Sequence, residues 1–116
     1  MIDKFISPCP APEGLDRELL TLLSEECAEV IQRVTKALRF GLDEVQPGQH
    51  LTNAERILQE FADVQAVFAA LEAKGLFESI AVERIEKWKC LKTAKIEAFL
   101  QSGSILEDPA CPNTEE

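Results

Sequence analysis

The amino-acid sequence predicts an all-α protein, a bundle of three long antiparallel helices. Three observations carry that prediction. Apolar residues recur at three- and four-residue steps through three separate segments, the period of a helix with one buried face. Each segment stops at or just before a glycine, at Gly41, Gly75 and Gly103, the residue that most easily takes the backbone out of a helix. No segment alternates apolar and polar residues for long enough to make a strand.

The elements follow in order. Residues 1–14, MIDKFISPCPAPEG, form a Pro-rich segment without the continuous apolar core of a signal peptide. Leu15, Leu19, Leu23, Cys27, Val30, Val34 and Leu38 then mark one face of a helix over 15–40. The loop GLDEVQPGQHL follows, punctuated by Pro47 and Gly48. Thr52-Asn53-Ala54-Glu55 fits the capping box, in which hydroxyl and carboxylate satisfy each other's orphan backbone N–H groups, and it starts a second helix over 52–74. Ile57, Leu58, Phe61, Val64, Phe68 and Leu71 supply its core face. A third helix is expected over 78–101, with Ile80, Ile85, Trp88, Leu91 and Leu100 as its buried set. The expected domain thus covers 15–103, and 104–116 reads as a flexible tail rich in Pro, Gly and acid. Three helices with no second layer leave apolar faces uncovered, so a homodimer or homotetramer is expected to complete the bundle.

Charge narrows the function. Twelve basic against 21 acidic residues leave a net −9, which argues against a nucleic-acid polymer or an anionic membrane as partner, since both need a positive face. No stretch approaches the roughly 20 apolar residues of a membrane span, and the expected compartment is the cytoplasm. The four cysteines form no CxxC pair, and His50 is the one histidine; a zinc site is poorly supplied, and reduced thiols are expected.

The stretch LLSEECAEVI sets Glu25, Glu26 and Glu29 into an apolar run. On a helical wheel Glu26 lies about 65° from the centre of the apolar stripe, Glu29 roughly twice as far and Glu25 nearly opposite. In the second helix Glu60 lies about 60° from its stripe and Asp63 about 120°. One reading leaves all five acids solvated on helix surfaces. Glu60 resists it, because Ile57, Phe61, Val64 and Val67 surround it, and a buried unpaired carboxylate costs several kcal/mol. No arginine or lysine is spaced to neutralise each acid. A hard divalent cation would do so in one step, because Mg²⁺ takes oxygen ligands and accepts waters elsewhere.

Glu25-Glu26-Cys27-Ala28-Glu29 followed by Glu60-Phe61-Ala62-Asp63 resembles the EExxE…ExxD signature of the all-α nucleoside triphosphate pyrophosphohydrolases, the MazG-like superfamily. The flanking EECAEVIQRVTKALRFG and TNAERILQEFADVQAV, with Lys36 and Asn53, resemble the two metal-binding helices of its small members, and the likeness covers roughly residues 15–73. What the resemblance implies is hydrolysis of a (deoxy)nucleoside triphosphate to the monophosphate and pyrophosphate, with Mg²⁺ or in its place Mn²⁺. Glu26, Glu29, Glu60 and Asp63 match the metal ligands. Glu25 and Glu26 match the catalytic acids, Glu25 either ligating through water or orienting the attacking water. Lys36 and Asn53 are the candidate substrate contacts; Lys36 also reads as a solvated surface lysine, and Asn53 equally as a helix-start residue. Two other readings stand beside this one: a catalytically silent helical adaptor, and an enzyme acting on phosphoribosyl-ATP.

Overall fold

A computed structural model of the chain describes residues 9–102. Expectations for most of the Pro-rich segment and for the tail lie outside the described residues. The described chain is helical, with three helices and no strand among those residues: α1 (Gly14–Phe40), α2 (Asn53–Ala73) and α3 (Val82–Leu100). The chain divides between Phe77 and Glu78 into two compact units. The first holds α1 and α2, packed against each other. The second holds α3.

Both ends of the α1–α2 pair are tied. Asp16, in the first turn of α1, where a negative charge suits the helix dipole, meets Lys74 just past α2 at 3.2 Å. At the other end the loop after α1 supplies almost every group the start of α2 needs. The carbonyls of Glu44 and Leu42 accept from the N–H groups of Asn53 and Ala54 at 2.9 and 3.0 Å. The expected capping box is formed: the Glu55 N–H donates to Thr52 Oγ1 at 3.1 Å and the Thr52 N–H to Glu55 Oε1 at 2.8 Å. Within the loop, Gln49 N–H donates to the Gln46 carbonyl at 2.9 Å across Pro47 and Gly48, and Gly48 has φ +82°. Pro in the second position and a positive-φ glycine in the third are the type II turn pattern.

α2 ends in a Schellman motif. The Leu76 N–H reaches the Leu71 carbonyl at 3.3 Å and the Gly75 N–H reaches Glu72 at 2.9 Å, with Gly75 at φ +85°. Phe77 then stacks on Phe68, centroids 5.3 Å apart. These turns run through residues 76–79, so α3 begins at Val82, four residues later than the periodicity suggested.

Burial departs from the wheel. In α1, Leu19, Leu23 and Val30 are half-buried, whereas Leu15, Val34 and Leu38 are exposed. Leu71 is the fully buried apolar residue of α2, with Ile57, Val64 and Phe68 half-buried and Leu58 and Phe61 exposed. Of the set expected to be buried on α3, Ile85 and Leu91 are half-buried; Ile80, Trp88 and Leu100 are exposed, and the buried position is Ala94. Trp88 instead carries the Arg84 guanidinium over its ring at 5.0 Å. The reduced-thiol expectation holds for Cys27, a free thiol on α1, but not for Cys90, which is disulfide-bonded. Among the described residues no helix is long and apolar enough to cross a membrane.

Candidate metal centre

The register of α2 against α1 decides where its acids stand, and a polar clamp sets that register. Asn53 is 2% exposed. Its Nδ2 donates to the carbonyl of Gly41, at the end of α1, at 2.8 Å and to the Glu44 carboxylate at 3.0 Å. Arg56 is also buried and donates from Nη1 to Gln46 Oε1 at 3.2 Å. Glu60 follows Asn53 by seven residues, two turns along the same side of the helix. Asp63 is one turn further.

From that register Glu60 and Asp63 meet Glu26 of α1. One carboxylate oxygen from each of the three lies within 4.8 Å of the others; Glu26 and Glu60 are half-buried, and Asp63 is exposed. The Glu26 carboxyl is raised above its ordinary value of 4.5, first by partial withdrawal from water and then by the charges of Asp63, Glu60, Glu29 and Glu25. Three hard oxygen donors from two helices suit a hard divalent cation. On one octahedral Mg²⁺ neighbouring oxygens lie about 3.0 Å apart and opposed ones about 4.2 Å, from a metal–oxygen distance of roughly 2.1 Å. The three carboxylates form a group that could hold one such ion once their side chains draw closer.

The other predicted residues are placed differently. Glu29 stands outside the set of three; its Oε1 is 3.7 Å from Arg33 Nη2. Glu25 is exposed and lines an open groove along α1 with Arg17, Thr21 and Leu22. Lys36 is half-buried and makes no ion pair among the described residues, which leaves its ammonium uncommitted one turn beyond Arg33. Asn53 is committed to the loop, with both contacts of its amide nitrogen made inside the protein.

Arg33 is the residue that the sequence reading missed. No arginine or lysine was expected to be spaced to neutralise each acid, yet Arg33 Nε lies 3.6 Å from Glu60 Oε2 while Nη2 faces Glu29. The signal was local: Arg33 follows Glu29 by four residues and Glu26 by seven, the spacings that share a helix face.

The chain matches no family model, no curated protein and no solved structure. The likeness to the MazG-like superfamily therefore rests on the motif residues and their flanking text.

Proposed function

We propose that this chain hydrolyses a (deoxy)nucleoside triphosphate to the monophosphate and pyrophosphate with Mg²⁺, or Mn²⁺ in its place. The observation that carries the reading is the convergence of Glu26, Glu60 and Asp63 from two helices. When bound, the divalent ion supplies Lewis-acid stabilisation of the charge that builds on the phosphate oxygens and departing pyrophosphate. Glu26, Glu60 and Asp63 would hold it, and Glu29 would complete the four-acid set of the motif. Glu25, adjacent to Glu26 and open to solvent, is assigned to orienting the attacking water. Lys36, in no ion pair among the described residues and two turns past Glu29 on the same side of α1, is assigned to a phosphate oxygen.

An acidic protein can take a polyanion in this way because the metal reverses the local sign. The same reading has the three helices antiparallel and the bundle completed by a homodimer or homotetramer. Support comes from the exposed apolar residues, among them Leu38 at 81% and Leu58 at 68%, more apolar surface than a lone soluble chain usually shows to water. The test is a panel of nucleoside triphosphates with Mg²⁺, scored for pyrophosphate against orthophosphate. Metal-dependent pyrophosphate release is expected; orthophosphate release, or none of either, would overturn the reading.

A further inference from the structure

Arg33 sits where the four motif acids have to close. Its guanidinium spans Glu60, one of the three converging carboxylates, and Glu29, the acid left out of that set. Neither approach has the geometry of a committed pair. At 3.6 and 3.7 Å both contacts are longer than a charge-assisted hydrogen bond, and Arg33 Nε is buried without a hydrogen-bond partner. An arginine that clamps carboxylates for good does so through two short parallel bonds. This one is held by charge alone.

We propose that Arg33 is the internal counter-ion of the acid cluster, and that a divalent cation displaces it from Glu29 and Glu60. The inference rests on the metal-dependent reading above. One positive charge offsets part of the repulsion among Glu26, Glu29, Glu60 and Asp63 in the metal-free chain. A divalent ion at the same carboxylates offsets more, and it repels the guanidinium. Glu29 is then free to turn from Arg33 toward the ion, which explains why it stands apart from the other three. The displaced guanidinium remains on the face of α1 that also carries Lys36, so metal loading presents a second cation to the phosphates.

The test uses Mn²⁺ alone as probe, with free ion followed by its electron paramagnetic resonance signal. Arg33→Met keeps the apolar stem and removes the charge. It should bind Mn²⁺ about tenfold more tightly than the parent, as loss of a unit charge a few ångströms from the ligands implies, while its metal-free form melts earlier. Arg33→Lys keeps the charge and should bind within about threefold of the parent. Equal or weaker binding by Arg33→Met, with the parent binding normally, overturns the counter-ion role and leaves the metal reading intact. A parent that binds no Mn²⁺ overturns both. A readout on the parent protein covers a variant that fails to fold. On titration with Mg²⁺ the Arg33 Nε–H nuclear magnetic resonance should shift together with the amides around Glu60. An Arg33 signal that stays in place while those amides move refutes displacement.

Discussion

Replacing Asn53 by alanine separates two roles for one residue. The side chain is 2% exposed and donates two hydrogen bonds, to the Gly41 carbonyl and the Glu44 carboxylate. A neutral pair contributes about 1 kcal/mol and one to a charged acceptor about 1.5–3. Asn53→Ala should therefore cost about 2.5–4 kcal/mol. At about 4–8 °C per kcal/mol for a domain of this size, that is a fall of roughly 10–30 °C in Tm. Asn53→Asp should cost more, because it sets an anion against a carbonyl oxygen and a second carboxylate. The assay is urea denaturation followed by far-ultraviolet circular dichroism, with pyrophosphate release measured on the folded fraction. An Asn53→Ala protein that lost under about 1 kcal/mol but bound nucleotide poorly would refute the clamp and return Asn53 to the substrate.

Glu60→Gln should leave the fold in place and lower turnover at least about a hundredfold, the scale on which even outer-shell changes act at metal sites. Its metal-free stability should stay within about 1 kcal/mol, because the lost attraction to Arg33 is offset by lost repulsion from Glu26 and Asp63; full pyrophosphate release by this variant would remove Glu60 from the metal set. Mg²⁺ at about 100 times its Kd should stabilise the parent by roughly 2.7 kcal/mol, and an unchanged melting curve in millimolar Mg²⁺ would count against the cage. The raised Glu26 carboxyl also predicts a pH dependence. Between 4.5 and its raised value the folded chain binds more protons than the unfolded one, so this group's contribution is greatest at the acid end and declines as pH rises through the window. Glu26→Gln should flatten that slope in metal-free melting curves taken from about pH 7 to about pH 5; parallel curves would show that Glu26 does not cause it.

What the sequence alone determined is what short-range physics controls. The α2 capping box and the stop of α2 at Gly75 each depend on residues within a turn or two of one another. So does the placing of Glu60 and Asp63 on one side of one helix. The candidate site was legible to that depth: wheel angles put Glu26 and Glu60 on the shoulders of their buried faces, and both are half-buried.

Tertiary structure decided the rest, because it depends on which residues meet across the loop between α1 and α2. Asn53 offered a helix-start role or a substrate contact, and tertiary structure added a third, with Gly41 and Glu44 accepting from its amide nitrogen. Arg33 shared a face with Glu29 in the sequence, but only the packing of α2 put Glu60 on its other side. Periodicity shows that a face is apolar and not whether this chain covers it, so Leu71 lies buried while Leu38, equally in phase, lies open. A helical period is a property of neighbouring residues, whereas a neutralised carboxylate or a covered leucine belongs to whatever stands opposite.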